Sequence, residues 1–541
     1  MTPLLAKRRN ILGALAVAAT LGRPFAAARA AGVTRGGKFV FGAARDVIFF
    51  DPVYQQQTED IWFSLNVYDT LLQPTPDGKA LQPGLALSYK VSDDGLTMTV
   101  TLRPGIKFSD GSPIQASDVK FTLDRGHSKE EGGNYYFLLS AVKSVEAQAP
   151  DTVVIHFSRP DPVFPQVLAS FYTAIVPEKQ MMAMPGTTLR DKARAFADHP
   201  VASGPFVISN WVRGSKFSLI RNPHYWKTGE DNQPLPYLDQ VDVLIVPDDA
   251  TRILMLKSGQ IDGTEFVPFS RAAELKSTPS IRMVLFPAEK IAYLGMNIRP
   301  TLKDGTKNPL ADKRVRQALN YGVEKKAIAQ IVTYGMGEPQ VTLPPASTPM
   351  AMTDKGEPYP YDPAKAKALL EQAGYGGGFD LTINAVAGNA DDAAELAAIQ
   401  QMWAQLGVRL KVQLLDSTTN VAKYRASDFQ MRSAIWTNDY NDPSQIVSYM
   451  AYFPAYESNR SGFNDAELNA LFEKSQTETD PQKRAAMFRR IQEIYIDAAP
   501  MVFLLDEPYP VALSTRVQGF VQLPLGNYMF SGVHMEPAGS Q

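Results

Sequence analysis

Residues 362–415 read DPAKAKALLEQAGYGGGFDLTINAVAGNADDAAELAAIQQMWAQLGVRLKVQLL and carry the clearest secondary-structure signals of the chain. Asp362 is a natural N-cap, and Pro363 fits the first position of a helix. Gly374 fits the position just beyond a helix end, where a left-handed conformation is common. These signals predict a helix that begins after Asp362 and ends before Gly374.

The remainder of this segment alternates between strand and helix patterns. Phe379–Val386 and Val408–Leu415 are predicted strands, and Asp392–Leu406 is a predicted helix between them. Such alternation is typical of an α/β layer architecture. Further elements predicted by the same patterns are the strands Met431–Trp436 and Met501–Leu505 and the helices Asn464–Thr479 and Pro481–Ala498.

The first half of the chain consists mainly of predicted strands and turns. Two β-prone runs flank the turn 92–95, in which Gly95 can supply the positive φ of a tight hairpin. Val142–Gln148 and Thr152–Phe157 form a second pair of this kind, and Ser117–Leu123 is a predicted short helix. The different patterns of the two halves predict two different lobes.

The charge balance limits the classes of partner. The 541 residues include 54 Lys and Arg against 56 Asp and Glu. Five of these basic residues and no acidic one lie in the first thirty positions, so the rest of the chain is near −7. This argues against DNA or RNA as a partner, because phosphate binding requires a concentrated positive field. With no cysteine and five scattered histidines, the sequence predicts no disulfide, no catalytic thiol and no metal site.

The N-terminus has the three parts of an export signal. A basic cluster at 7–9 precedes the apolar run Ile11–Leu21, and small residues surround Arg29. Eleven apolar residues are too few for a helix that spans a bilayer, which needs about 20. We therefore expect a signal peptide over residues 1–30, cleaved after Ala30, and export to the periplasm. The adjacent arginines also allow the twin-arginine route, and an uncleaved anchor is the alternative.

Catalytic motifs are absent from the sequence. It has no Gly-x-Ser-x-Gly elbow, no His-Glu-x-x-His and no phosphate loop. The glycine-rich segment 374–378 follows a helix and precedes a strand, which is the reverse of a dinucleotide-binding loop. We therefore expect no cofactor and no enzymatic activity. Asp439 and Asp442 are close enough to suggest paired acid–base carboxylates, so a secreted hydrolase is the alternative function.

A series of short motifs occurs in a fixed order along the chain. They are Phe50-Asp51-Pro52, Val67–Leu72, Pro83–Ala86, Ser92–Thr97, Leu102–Gly111, Ala116–Val119, Ser203–Phe206 and Asp312–Leu319. The series resembles the family 5 solute-binding proteins of ABC transporters, the dipeptide- and oligopeptide-binding group. The resemblance extends from about residue 38 to about residue 530.

The resemblance implies an α/β fold of two lobes that close over a ligand and are joined by two hinge strands. Lobe I, the enlarged lobe, would comprise residues 33–290 and 506–541, with an extra subdomain at about 75–200. Lobe II would comprise residues 291–505, which matches the α/β half. The crossings would lie near Ile291–Asn297 and Met501–Leu505, where few residues need to absorb the hinge motion.

The resemblance also implies a binding site around the segment Ile435–Pro443. In similar peptide binders an aspartate at the position of Asp439 holds the α-ammonium group of the ligand. The other ligand-binding residues predicted by similarity are Trp436, Asn438, Tyr440, Phe50, Tyr135 and Tyr136.

Each of these residues also has a structural interpretation. The segment that contains Asp439 can simply form a turn and cap the next helix, and for Asp442 we favour this interpretation. The aromatic residues can be part of the core, and four other tryptophans are assigned to core packing: Trp62, Trp211, Trp226 and Trp403.

One segment departs from the family pattern. Dipeptide binders carry an arginine after the strand equivalent to Phe379–Val386, and it pairs with the carboxylate of the ligand. Here the segment Ala387–Asp392 has no basic residue. We therefore expect longer peptides or another small amine-bearing solute, unless an arginine elsewhere has taken this role.

The resulting hypothesis is a monomeric periplasmic receptor that delivers its ligand to the transmembrane subunits of an ABC permease. A sensor or chaperone module on the same fold is a third possibility, beside the hydrolase.

Overall fold

The computed structural model describes residues 33–55, 57–456 and 458–537. The predicted signal peptide, residues 1–30, lies outside the described residues. In the part of the chain that the structure describes, no helix is both long and apolar enough to cross a membrane.

The strands are numbered along the chain. They are β1 (Lys38–Ala43), β2 (Leu72–Pro74), β3 (Leu81–Pro83), β4 (Ala86–Val91), β5 (Thr97–Leu102), β6 (Val142–Ala149), β7 (Thr152–Phe157), β8 (Phe206–Val212), β9 (Lys216–Arg221), β10 (Gln240–Ile245), β11 (Gly263–Thr264), β12 (Ile281–Phe286), β13 (Lys290–Met296), β14 (Glu338–Pro339), β15 (Phe379–Val386), β16 (Val408–Leu415), β17 (Met431–Thr437), β18 (Met501–Asp506), β19 (Tyr509–Ser514), β20 (Val517–Gln518), β21 (Val521–Gln522), β22 (Tyr528–Met529) and β23 (His534–Met535).

The α-helices are numbered in the same way. They are α1 (Thr58–Ser64), α2 (Ala116–His127), α3 (Phe164–Val167), α4 (Glu178–Met182), α5 (Leu189–Asp198), α6 (Asp249–Lys257), α7 (Phe269–Lys276), α8 (Lys313–Tyr321), α9 (Lys325–Val332), α10 (Pro363–Gln372), α11 (Ala390–Ala404), α12 (Ser417–Arg425), α13 (Pro443–Met450), α14 (Phe453–Tyr456), α15 (Ala466–Ser475) and α16 (Pro481–Ala498). Short 3₁₀ turns span Gly133–Leu139, Phe171–Thr173 and Pro309–Ala311, and a π turn spans Ser458–Gly462.

A seven-stranded sheet in the order β12-β19-β11-β1-β10-β9-β8 forms the centre of the first lobe, which we call lobe I. Its strand β1 pairs in parallel with both β10 and β11. Phe39 and Phe41 of β1 are fully buried in the core of this lobe. The carboxyl end of β1 therefore opens at the middle of the sheet, where α/β proteins commonly bind ligands.

A six-stranded sheet in the order β14-β18-β13-β17-β15-β16 forms the centre of lobe II. Strand β15 is parallel to both β16 and β17, and β13 is antiparallel to β17 and β18. Leu381, Ile383 and Trp403 are fully buried between this sheet and its helices. This arrangement confirms the predicted α/β architecture of the second half.

The chain crosses between the two sheets twice. It leaves the seven-stranded sheet after Phe286 and enters the other at Lys290, and it returns between Asp506 and Tyr509. Strands β13 and β18 are neighbours, so both crossings lie side by side. The two-lobe fold is therefore as predicted, and the lobe boundaries at 33–290, 291–505 and 506–541 stay a prediction.

A separate four-stranded antiparallel sheet, β4-β5-β7-β6, lies within the predicted extra subdomain. Gly95 has a φ of 70° in the turn between β4 and β5, as its position predicts. The bounds of the subdomain at about 75–200 also stay a prediction.

The local signals gave element types more reliably than element ends. Asp362 caps α10 by accepting the backbone N–H of Lys365, and Gly374 beyond its end has a φ of 84°. The helix predicted at Asp392–Leu406 begins two residues earlier, because Asn389 caps it. The helix predicted at Asn464–Thr479 begins two residues later, because Asp465 supplies its N-cap, and it ends earlier, at Ser475.

Candidate functional site

A cleft of about 570 Å³ lies between the two lobes. Lobe I contributes residues that follow β1, residues of α1 and the segments 266–269 and 508–510. Lobe II contributes Asp391 and the segment Thr437–Asp439, and Lys290 lines the cleft from the first crossing. The volume lies within the range of about 300–1,000 Å³ that is typical of small-ligand sites.

The sheet of lobe II brings its two cleft segments together. Strands β15 and β17 are parallel neighbours, with Ile383 opposite Met431. Their carboxyl ends therefore meet at one edge of the sheet; Asp391 follows β15 in the first turn of α11, and Asp439 lies in the loop after β17.

Asp439 is an enclosed carboxylate without a cationic partner. The Gln445 Nε2 donates to Asp439 Oδ2 at 2.5 Å, and no described residue forms an ion pair with this carboxylate. Burial raises the pKa of Asp439 to about 6, although the hydrogen bond from Gln445 opposes the shift. An enclosed carboxylate of this kind is stabilised by a cation, so it suits a ligand ammonium group.

Asn438 is buried and ties the same loop to the first crossing. Its Nδ2 donates to Glu289 Oε2 at 2.7 Å, and its backbone N–H donates to the carbonyl of Glu289 at 3.0 Å. Burial raises the pKa of Glu289 to about 7, and the Oε1 of Glu289 has no hydrogen-bond partner among the described residues. Asn438 therefore lines the cleft, and its two hydrogen bonds to Glu289 fix the loop that contains Asp439 to the first crossing between the lobes.

Trp436 and Tyr440 flank this pair but do not line the cleft. The ring of Trp436 lies 4.3 Å from that of Tyr449, and its Nε1 donates to Asn438 Oδ1 at 2.7 Å. Tyr440 packs against the hydrophobic core of lobe I, and its hydroxyl lies 3.2 Å from Ser444 Oγ. Their roles as ligand contacts stay predictions.

The predicted aromatic residues of lobe I lie elsewhere in the structure. Phe50 is fully buried, and its ring packs edge-on against Trp211 and Phe217 at 5.0 and 5.5 Å. Tyr136 is 37% exposed and does not line the cleft. The side chain of Tyr135 lies outside the described part of the structure. The ligand-binding roles assigned to these three residues stay predictions.

Asp442 has the structural role that the sequence favoured. Its side chain caps α13, and it forms a bidentate ion pair with Arg484 at 2.7 and 2.8 Å. Both side chains are about 95% buried. Asp442 is therefore fixed by Arg484 and does not reach the cleft.

Several residues of the cleft were missed by sequence reasoning. Glu59 is 1% exposed; its Oε1 lies 3.7 Å from Nη1 of Arg45, and its Oε2 has no partner among the described residues. Trp62, assigned to core packing, is 5% exposed and stacks on Phe266 with ring centroids 5.1 Å apart. The signal for Arg45 was its position just beyond the carboxyl end of β1, a central parallel strand.

Comparison with known proteins places the chain among solute-binding proteins. The family model for bacterial extracellular solute-binding proteins, family 5 (middle region), matches residues 80–456. The glutathione-binding protein GsiB of Salmonella typhimurium is 28% identical over 460 residues, which are 84% of this chain and 86% of that protein. Heme-binding protein A of Haemophilus influenzae is 30% identical over 537 residues, with 92% of each chain covered.

The fold is shared with a solved peptide complex. The ABC transporter-associated periplasmic binding protein DppA from Helicobacter pylori, in complex with peptide STSA, superimposes with a TM-score of 0.72 at 25% identity. The match covers 93% of this chain and 99% of that one. Both the family model and the interlobe cleft thus confirm the resemblance found in the motifs, and the chain belongs to family 5 of the bacterial extracellular solute-binding proteins.

Proposed function

We propose that this protein is the periplasmic substrate-binding component of an ABC importer and captures a peptide, or another small amine-bearing solute, in the interlobe cleft. The observation that carries the proposal is the enclosed, unpaired carboxylate of Asp439 in that cleft. Relatives that are named for glutathione, heme and a bound peptide support a small organic ligand. The partners would be the transmembrane subunits of the permease, and the receptor would act as a monomer after its signal peptide is removed.

The ligand would stabilise the closed arrangement because it contacts both lobes at once. A charge-assisted hydrogen bond to Asp439 contributes about 1.5–3 kcal/mol, whereas micromolar affinity requires about 8 kcal/mol. The remainder would come from the aromatic wall of lobe I. Trp62, Phe266 and Tyr509 line the cleft, and the hydroxyl of Tyr509 has no partner among the described residues.

The geometry gives no support to the carboxylate pair on which the hydrolase alternative was based, Asp439 with Asp442. That function requires a second carboxylate beside Asp439, and the sequence offered Asp442. Asp442 is instead held by Arg484 in a buried bidentate pair. A group that is both buried and paired is not free to exchange protons with a substrate.

The test is a binding measurement that also detects turnover. Calorimetry would compare a tripeptide that has a free amino terminus with the same peptide after N-acetylation, while chromatography follows both peptides. We expect the free peptide to bind at least tenfold more tightly and to be recovered intact. Mass spectrometry of ligands that copurify with the native protein would identify the natural solute. Catalytic release of amino acids would overturn the proposal in favour of the hydrolase, and equal affinity for both peptides would remove the role of Asp439.

A further inference from the structure

The wall that lobe II presents to the cleft is acidic. Asp439 and Asp391 both line it, and they follow the carboxyl ends of adjacent parallel strands. Neither carboxylate forms an ion pair with a described residue. Burial and the negative charges of Asp392, Glu507 and Asp391 raise the pKa of Glu395, on the same helix, to about 8.

The cations of the cleft are already matched by other carboxylates. Lys290 Nζ lies 2.6 Å from Glu507 Oε2. Nη1 of Arg45 lies 3.7 Å from Oε1 of Glu59. The other carboxylate oxygen of Glu59 is buried and has no partner among the described residues. Each of these two cations thus lies beside one carboxylate. The other two carboxylates that line the cleft, Asp391 and Asp439, form no ion pair with a described residue.

An aromatic surface faces these carboxylates across the cleft. Phe266 is 40% exposed, and its ring stacks on Trp62. Phe266 has a φ of 47°, a conformation that is uncommon for a bulky side chain and that holds this ring at the cleft. The faces of aromatic rings attract ammonium and guanidinium groups. Carboxylates and an aromatic face around one cavity are a suitable environment for a cation.

We propose that the cleft selects a ligand with a second positive charge in addition to its amino terminus, such as a peptide with a lysine or arginine side chain. The amino terminus binds Asp439, and the basic side chain binds near Asp391. This inference rests on the proposed function and narrows its substrate class. A ligand of net negative charge is disfavoured, because the two cations among the described residues that line the cleft, Lys290 and Arg45, each lie beside a carboxylate.

The experiment uses matched peptides on the full-length mature protein. Calorimetry at pH 7.5 and low salt would measure the tripeptides Ala-Lys-Ala, Ala-Ala-Lys, Ala-Met-Ala, Ala-Ala-Met and Ala-Glu-Ala. Methionine has about the length of lysine but no charge, so each lysine–methionine ratio reports the effect of the charge. We expect the better lysine peptide to bind at least tenfold more tightly than its methionine counterpart, and the glutamate peptide to bind most weakly.

Two variants of α11 then locate the effect. Asp391→Asn should lower the lysine–methionine ratio at least threefold and change the affinity for the methionine peptide by less than twofold. Asp392→Asn is the matched control, because it removes a neighbouring charge from the same helix end but does not line the cleft. Equal affinities for lysine and methionine peptides, or an unchanged ratio in Asp391→Asn, would overturn this inference and leave the proposed function intact. If none of the five peptides binds, this inference fails together with the peptide part of the proposed function.

Discussion

Two carboxylates three residues apart have opposite environments. Asp442 is 3% exposed, caps α13 and receives both terminal nitrogens of Arg484. Asp439 lines the cleft, and among the described residues its carboxylate accepts a hydrogen bond only from the side-chain amide of Gln445. An aspartate in this segment therefore stabilises the fold at position 442, whereas the aspartate at position 439 is able to bind a ligand cation. The presence of a cationic partner, and not burial alone, separates the two roles.

The largest effect should come from breaking the buried pair. Asp442→Asn leaves the guanidinium of Arg484 buried without its counter-ion, which costs about 3–5 kcal/mol of unfolding free energy. Urea unfolding at constant pH measures this loss. The matched control is Glu467→Gln. It removes the exposed ion-pair partner of Arg490, which lies on α16 like Arg484. Its effect should be far smaller because solvent screens that pair. Equal losses in the two variants would contradict the structural role of Asp442.

Asp439→Asn should show the opposite profile. The affinity for a peptide with a free amino terminus should fall tenfold or more, because the ammonium group loses its charged partner. The unfolding free energy should stay within about 0.5 kcal/mol of the original, since an asparagine oxygen can still accept from Gln445. Calorimetry and urea unfolding on the same preparation give both values. A variant that loses stability but keeps its affinity would show that Asp439 has a structural role, like Asp442, and not a binding role.

The pH dependence of binding sharpens the same contrast. Burial raises the pKa of Asp439 to about 6, so the carboxylate is charged above this value and protonated below it. An ammonium group binds the charged form, so affinity should be constant above about pH 7 and decline as the pH falls toward 5. Calorimetry between pH 5 and pH 8 tests this, and Asp439→Asn should flatten the curve. If the decline persists in that variant, the titrating group is another one; Glu289, which accepts a hydrogen bond from Asn438, is a candidate because burial raises its pKa to about 7.

The smallest effect is expected at Asn441, which lies between Asp439 and Asp442 in the sequence. Its side-chain amide donates to the carbonyl of Gly78 across the lobes. Asn441→Ala should weaken ligand binding two- to fivefold, because the closed arrangement loses one neutral hydrogen bond of about 0.5–1 kcal/mol. Small-angle scattering should show a more open unliganded protein. Gln180→Ala removes two hydrogen bonds within lobe I, to Asp110 and Ser112, and should change neither measurement.

Elements with local signals were predictable from sequence. Helix α10 has a cap at one end and a glycine beyond the other, and strand β15 has the bounds that its pattern predicts. The start of α11 was predicted too late because both Asn389 and Asp392 are good N-caps. The chain uses Asn389, whose side chain accepts the N–H groups of Asp391 and Asp392.

The site was predictable only where one segment contains it. Asp439 was predicted from its own loop, by resemblance; it lines the cleft, and its contact with a ligand stays a prediction. The side chains that hold the neighbouring residues of this segment lie far away in sequence. Glu289 is 149 positions from Asn438, and Arg484 is 42 positions from Asp442. Periodicity carries no information about such pairs. The burial of Phe50 likewise depends on β8 and β9, which lie more than 150 residues downstream.

The positions of β18 and β19 have a consequence for the order of folding. Both strands come from residues 501–514, yet β18 lies between β14 and β13, and β19 lies between β12 and β11. A growing chain of 500 residues therefore holds two unfinished sheets whose inner strands have no neighbour on one side. Neither lobe can complete its core until the C-terminal part is available, because those late strands fill interior places and not edges.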